Sequence, residues 1–332
     1  MIKMLKSIAP GFLIAACVGG LGLMISNLSN LPIFDPLVIA MGLGIAIKAF
    51  VLLPEKALTG IKRAPLICIP PGVAIYGAVS LNFHAASVVK ERDFLIILLV
   101  VFLVYIISAL LLSSLFGLKE KVGYLVAAGS CICGASAITI TSQAIDAEPE
   151  DISVSLIAVF LSALIGLFII LPLTAAFFKI SGLDYAAFSG SVLQFSGFVK
   201  ASVADLPQAV KDLALSIKAL RYLGLLFIIP LFSSFIKGKL YTPWYLWAFL
   251  LSGILFSLMP SLAAAAIPVL KPVLNILWGI AMAAIGLNAD IKKIGTINGA
   301  KTFIVSLLAF LIAVFTFILM NKGLFSAADR LF

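Results

Sequence analysis

The sequence predicts an all-α polytopic membrane protein with about eleven transmembrane helices. Of its 332 residues, 63% are hydrophobic and 11% are charged, and its mean hydropathy of +1.23 lies outside the range of soluble domains. A spanning helix needs roughly 20 apolar residues, so many spans fit and no large soluble domain does. We therefore expect residues 1–332 to form a single transmembrane domain.

Apolar segments of suitable length follow one another along the chain. Short connections with turn residues, such as Pro54 to Gly60, separate them. The predicted spans cover residues 11–29, 36–52, 64–82, 94–117, 122–143, 152–178, 185–203, 213–235, 244–260, 271–289 and 302–320. Since no clear cleavage site follows the lysines near the N-terminus, we interpret the first segment as a retained helix.

Lysine and arginine residues are distributed unevenly between the two sets of connections that these spans define. The richer set contains Lys3, Lys6, Lys56, Lys62, Arg63, Lys119, Lys121, Lys179, Lys237, Lys239, Lys292, Lys293 and Lys301. The poorer set contains Lys90, Arg92, Lys211, Lys271, Lys322 and Arg330. Because cytoplasmic loops carry the excess of Lys and Arg, the N-terminus is predicted to be cytoplasmic. The acidic loop from Asp146 to Asp151 and the C-terminus are then outside, unless residues 122–143 form a hairpin, which would reverse every later side.

A run of small and polar residues from Ala127 to Thr139 interrupts one apolar segment. Lipid offers no partner for backbone N–H and C=O groups, so glycine-rich backbone at bilayer depth must face protein or a cavity. Secondary transporters build substrate sites near the midplane from broken helices of this composition. The run therefore predicts a discontinuous helix that lines a binding cavity.

A second segment shows a similar pattern. Tyr124 to Ser142 and Tyr185 to Ser202 both begin with Tyr, and each contains a Gly-Ser pair followed by another cluster of small residues. Small residues recur in any packed membrane helix, so the similarity also has a plain packing interpretation. In the predicted topology the two segments run in the same direction, so this similarity is not itself an inverted repeat.

Three stretches in the same order resemble the YeiH-like family of bacterial inner-membrane proteins, which are labelled sulfate exporters. They are Gly129 to Ile138, Lys218-Ala219-Leu220-Arg221 and Ala281 to Asn288. The resemblance implies two inverted repeats, approximately residues 36–178 and 185–320, with discontinuous crossing helices in a core domain and a separate panel domain. It also implies a bacterial inner-membrane location and leaves a homodimer open.

The chain departs from that family in the seventh predicted span. The family has a His-Glu-x-x-Gln pattern there, whereas this sequence reads Gln194-Phe195-Ser196-Gly197-Phe198. Proton coupling through such a His-Glu pair is therefore not expected.

Cations without carboxylate neighbours point to the class of substrate. Lys218 and Arg221 are three residues apart, so they share one face of a helix, and no Asp or Glu falls clearly within a span. Asp205 and Asp290 come closest, at helix ends, and Lys200 lies near the outer end of its span. Charges at bilayer depth normally face a partner or a cavity, and a bound anion would neutralise these, although snorkelling to the interface is the alternative.

These arguments define two sets of candidate residues. For substrate binding they are Gly129, Ser130, Cys133, Gly134, Ser136, Ser191, Gln194, Lys218 and Arg221. For Na⁺ coupling through side-chain oxygens they are Thr139, Thr141, Ser142 and Gln194. A serine or threonine hydroxyl bonded back to its own helix is the competing interpretation of each. No cofactor is expected apart from Na⁺, and the cysteines do not have metal-ligand spacing.

We expect a secondary active transporter of a small anion of the sulfate, sulfonate or carboxylate class, working by alternating access. An anion channel is one alternative. The other is an intramembrane serine protease using Ser136, which would need a base, and the only histidine is His84. The protein is otherwise not expected to be an enzyme. Its expected partners are the anion, the bilayer and a second copy, and not nucleic acid.

Overall fold

The computed structural model describes residues 2–29, 34–81, 92–239, 241–289 and 297–328. Regular secondary structure in these ranges is helical throughout. Six helices are long and apolar enough to cross a membrane, and two shorter ones are also apolar. The prediction of an all-α membrane protein is confirmed.

We number the α-helices in chain order. They are α1 Ile2–Ser29, α2 Pro36–Phe50, α3 Glu55–Ser80, α4 Arg92–Leu115, α5 Glu120–Cys131, α6 Ala135–Ala144, α7 Pro149–Ile165, α8 Leu171–Phe178, α9 Gly182–Val192, α10 Ser196–Ser202, α11 Gln208–Leu220, α12 Leu225–Lys237, α13 Trp244–Leu258, α14 Pro260–Asn288 and α15 Ile297–Ala328. A π-helical turn, Gly166–Ile170, joins α7 to α8, and a 3₁₀ turn, Arg221–Gly224, joins α11 to α12.

The helices pack in two groups. Helices α1, α2, α3, α13 and α14 pack against one another and form what we call the panel bundle. Glycines allow close approach there: a Cβ on Gly44 would lie 2.5 Å from the carbonyl oxygen of Ala283, and one on Gly19 would lie 2.6 Å from the backbone of Gly279. The remaining helices form the core bundle, which contains both segments that the sequence singles out.

Helices α5 and α6 form a re-entrant hairpin, which we call hairpin 1. The Lys121 ammonium, at the start of α5, donates a 2.6 Å hydrogen bond to the carbonyl oxygen of Asp146, just after α6. Lys119 forms ion pairs with Glu148 and Asp151 at 3.3 and 3.2 Å. The two ends of the segment are therefore side by side. The prediction that residues 122–143 span the membrane is wrong, and the hairpin alternative holds.

Helices α9 and α10 form a second hairpin, hairpin 2. The hydroxyls of Ser189 and Ser202 are 2.8 Å apart, whereas thirteen residues of straight α-helix would separate them by about 20 Å. Tyr185, near the start of α9, also interacts with Ser202 at the end of α10. Residues 185–203 are therefore a hairpin and not the span that the sequence predicts.

The two hairpins enter the core bundle from opposite ends. The helical segment Pro149–Phe178 connects them, and its 30 residues extend about 45 Å. Lys237, at the end of α12, forms an ion pair with Asp146 at 3.7 Å. The predicted topology would place these two residues on opposite sides of the membrane. The loop from Asp146 to Asp151 therefore lies on the side of Lys119, and Lys179 lies on the opposite side. Each hairpin returns the chain to the side where it began, whereas the prediction has it cross the membrane there. Because this happens twice, the residues after hairpin 2 lie on their predicted side.

The similarity between the two hairpins is inverted in space. Helices α5 and α9 end at Cys131 and Val192, and α6 and α10 begin at Ala135 and Ser196, a constant offset of 61 residues. Each hairpin is followed by a long helical segment with one non-α turn. The expectation that both segments run in the same direction is thus corrected for these hairpins. The wider repeats, 36–178 and 185–320, stay a prediction.

Candidate functional site

The tip of hairpin 1 is the helix break that the sequence predicts. Residues Ile132 to Gly134 separate α5 from α6. Gly134 has φ 66° and ψ −119°, a conformation that residues with a Cβ rarely adopt. Its N–H donates to the carbonyl of Gly129 at 2.9 Å, which closes the end of α5. The prediction of a discontinuous helix here is confirmed.

The tip of hairpin 2 meets this turn directly. Residues Leu193 to Phe195 separate α9 from α10. A Cβ on Gly134 would lie 2.7 Å from the Phe195 ring, so the ring packs on the glycine where only a hydrogen fits. The two predicted segments therefore come together at their tips.

Lys218, in α11, holds the two tips together. Its ammonium donates to the carbonyl oxygens of Ile132, Leu193 and Gln194, at 2.6, 2.7 and 2.7 Å. The side chain is 1% exposed. Because an ammonium has three N–H donors, none is left for an anion in this conformation.

Arg221, three residues after Lys218, binds the C-terminal ends of α5 and α9. Its Nε donates to the carbonyl of Cys131 and its Nη2 to that of Ser130, at 2.8 and 2.7 Å. Its Nη1 donates to the carbonyls of Leu193 and Gly190, at 2.7 and 3.2 Å. Four hydrogen bonds thus occupy all but one of its five N–H donors. In this conformation helix carbonyls bind both cations directly, and neutralisation of their charge by an anion stays a prediction.

The charges at the tips do not fully cancel. The C-terminal end of an α-helix carries about half a negative charge, so the ends of α5 and α9 supply about one negative charge against two cations. The starts of α6 and α10 lie at the same tips, and a helix N-terminus carries partial positive charge. No ion pair to a carboxylate involves Lys218 or Arg221 in the part of the chain that the structure describes. The meeting point of the hairpins therefore keeps a surplus of positive charge.

A cluster of hydroxyl groups lies at the starts of α6 and α10. Ser136 and Ser196 are half-buried, in contrast to the residues around the tips. The hydroxyls of Ser196 and Tyr222 are 2.6 Å apart, and the Tyr76 hydroxyl interacts with the side chains of Cys133 and Ser136. The Tyr76 and Tyr222 ring centroids are 5.7 Å apart. We call Tyr76, Tyr222, Ser136 and Ser196 the hydroxyl cluster.

Sequence reasoning missed the two tyrosines of this cluster. Tyr222 directly follows Arg221 in the sequence, and this adjacency to a candidate residue was the signal that could have identified it. Tyr76 lies in α3, which continues as one helix through Pro70-Pro71-Gly72. Trp278 packs on Tyr76 with a centroid distance of 4.8 Å, and Gly72 leaves the space that its indole occupies.

The other predicted binding residues line the tips without a ligand-like arrangement. Gly129 is a packing position, where a Cβ would lie 2.7 Å from the Ile138 side chain. The hydroxyls of Ser130 and Ser191 and both amide atoms of Gln194 are buried and have no hydrogen-bond partner among the residues described. Four polar atoms thus lie unpaired near the cations.

The predicted Na⁺ ligands are not brought together. Thr139 and Ser142 donate to carbonyls of their own helix, at 2.7 and 2.8 Å, and the Thr141 hydroxyl is buried without a hydrogen-bond partner among the described residues. Within the described ranges, no hydrogen bond joins any of them to Gln194. A Na⁺ site from these oxygens would need a different conformation.

The outlying charges are away from the tips. Lys200 is exposed on α10, and Asp205 is exposed after it. Lys119, at the base of hairpin 1, has its pKa raised above the ordinary lysine value by its hydrogen bond to Asp151. Asp290 and His84 lie outside the described residues.

Comparison with known proteins gives a consistent family. Residues 10–306 match the family model described as Conserved hypothetical protein 698. A UPF0324 membrane protein from Agrobacterium fabrum is 27% identical, over 95% of this chain and 93% of its own length. UPF0324 membrane proteins from Archaeoglobus fulgidus and Listeria monocytogenes are each 27% identical, covering 92% and 91% of this chain and 90% and 92% of theirs.

No solved structure matches this chain. The family match covers most of the sequence, including both hairpins and the helix that holds their tips. The chain therefore belongs to the UPF0324 membrane protein family, the YeiH-like family that its motifs indicate.

Proposed function

We propose that this protein is a secondary transporter that carries a small anion across the cytoplasmic membrane of a bacterium by alternating access. The observation that supports it most is the pair of buried cations, Lys218 and Arg221, at the meeting point of two hairpins. Neither is paired with a carboxylate among the residues described. The surplus positive charge attracts an anion and repels a cation.

The arrangement of the hairpins favours a carrier over a channel. The tips enter from opposite ends and pack against each other through Gly134 and Phe195. Tyr76 of the panel bundle packs on Tyr222 of the core bundle at the same level. A substrate at this junction would become accessible to one side or the other when the bundles shift relative to each other.

The protease alternative finds no support at Ser136. Its side chain interacts with that of Tyr76, and a serine nucleophile needs a base in hydrogen-bond reach. We retain Na⁺ coupling or transport driven by the membrane potential as the energy source. A homodimer through the panel bundle and a cytoplasmic N-terminus also belong to this proposal.

The test is counterflow in proteoliposomes. The purified protein is reconstituted with unlabelled sulfate, a small sulfonate or a carboxylate inside, and uptake of the labelled anion is measured. A carrier is accelerated by the anion on the opposite side. Rapid flux without this acceleration would indicate a channel, and uptake of none of the anions would contradict the proposal.

A further inference from the structure

We propose that the anion is held by the neutral hydroxyl groups of Tyr76, Tyr222, Ser136 and Ser196, and that it is an oxyanion with several acceptor oxygens. Lys218 and Arg221 attract it without touching it. This inference rests on the proposed function and deepens it.

The saturation of the cations is the first reason. All three donors of Lys218 and four of the five donors of Arg221 bind carbonyl oxygens of the two tips. For an anion to replace these partners, buried carbonyls would lose their donors, and a buried acceptor without a donor destabilises the protein. The cations therefore act through their field.

The convergence of hydroxyls from four separate elements is the second reason. Tyr76 belongs to α3, Ser136 to α6, Ser196 to α10 and Tyr222 to the 3₁₀ turn. Ser196 and Tyr222 lie within hydrogen-bond distance of each other, at 2.6 Å, and Tyr76 interacts with Ser136 and with Tyr222. Every one of these groups can donate a hydrogen bond.

Accessibility is the third reason. The tips themselves and the two tyrosines of the cluster are buried, whereas Ser136, Ser196 and Gly197 are only half-buried. The hydroxyl cluster is also where the panel bundle meets the core bundle, through the contact between Tyr76 and Tyr222. A ligand can therefore reach the cluster when the two bundles separate slightly, without breaking the bonds that hold the tips.

The chemistry of the cluster determines the class of ligand. Hydroxyl donors that approach from different elements can bind separate oxygens of a tetrahedral or planar oxyanion, whereas a halide offers one centre to all of them. Neutral donors also bind an anion less tightly than a direct ion pair does, because they lack the Coulomb attraction of an opposite charge at contact distance. A carrier needs such moderate affinity, since it must release its substrate on the other side.

The experiment compares the variants Y76F, Y222F, S136A and S196A with the wild type in proteoliposomes, using sulfate and chloride as probes. Loss of one hydrogen bond to a charged group should raise the KM for sulfate about tenfold, and the preference for sulfate over chloride should fall. Y245F is the matched control, because Tyr245 is a buried tyrosine in the panel bundle whose hydroxyl has no hydrogen-bond partner among the described residues. Melting temperatures confirm that each variant is folded.

The outcomes separate the two proposals. If the wild type carries no anion, the proposed function fails and this inference fails with it. If the wild type carries sulfate and at least three of the four variants retain its KM and its selectivity, the inference is overturned and the proposed function stands. A rise in KM in at least two variants, with Y245F unchanged, supports the hydroxyl cluster.

Discussion

The ammonium of Lys121 donates a 2.6 Å hydrogen bond to the carbonyl oxygen of Asp146, 25 residues later in the chain. This contact places both ends of hairpin 1 at one face of the membrane. Since the excess of Lys and Arg is cytoplasmic in membrane proteins, the proposed topology assigns that face to the cytoplasm. The acidic loop after α6 pairs with Lys119 at this face, and in the proposed topology it lies on the cytoplasmic side.

Labelling of single cysteines should reveal this topology. In a background without the four native cysteines, single cysteines are placed at Lys119 and at Glu148. An impermeant thiol reagent should reach both from the same side of the membrane and neither from the other side. A cysteine at Gly182, after the connecting helical segment, should react only from the opposite side. Labelling of positions 119 and 148 from opposite sides would show that residues 122–143 span the membrane.

Gly134→Ala should destabilise the protein and separate the tips. The residue has a φ of 66°, and a Cβ would lie 2.7 Å from the Phe195 ring, so strain of about 1–3 kcal/mol is expected. The measurement is the melting temperature together with transport. Gly117→Ala is the matched control, because Gly117 has a φ of 64° with nothing within 4 Å of its Cβ position. Equal effects of the two substitutions would rule out the contact with Phe195 as the cause.

The sequence predicted where the helix breaks but not that the chain turns back at the break. Backbone that is rich in glycine and serine at bilayer depth has to break the helix, and the break lies at Ile132 to Gly134. Whether the chain continues or turns back depends on contacts between distant residues, such as that of Ser189 with Ser202. Apolar length alone cannot distinguish a span of about 20 residues from two short helices.

The partners of the buried cations were equally hidden in the sequence. Lys218 and Arg221 were identified from their spacing, and they do lie together. Their partners are backbone carbonyls, which every residue possesses, so composition gives no signal for them. Tyr76 reaches the site from a helix of the other bundle, and no local pattern links it to the tips.

Lys218→Met should loosen both hairpins at once. The substitution leaves the buried carbonyls of Ile132 and Gln194 without this donor, while that of Leu193 keeps Arg221, and the loss should cost about 2 kcal/mol or more. The melting temperature should fall, and Cys131 and Cys133, which are buried now, should react faster with thiol reagents. Lys211→Met, in the first turn of the same helix, is the control. A Lys218→Met protein with unchanged stability and unchanged cysteine reactivity would show that the lysine does not hold the tips.

The pH dependence of transport should be shallow between about pH 5 and 8. Gln194 and Phe195 stand where a titratable pair would act, and serine and glutamine do not titrate in this range, while tyrosine ordinarily titrates near 10. Histidine is the residue whose ordinary range fits, and the chain has one, His84. We therefore expect Na⁺ coupling or potential-driven transport.

Vesicles with imposed ion gradients test this expectation. Uptake of the anion is measured with a Na⁺ gradient, with a proton gradient and with a potassium diffusion potential, each applied alone. The wild type and His84→Gln should behave alike, and the proton gradient alone should have no effect beyond its electrical component. Uptake that follows the proton gradient and persists in His84→Gln would show that another group titrates during the cycle. Because no carboxylate pairs with the tips in the described residues, Lys218, which is buried where the two tips meet, would then be the first residue to examine.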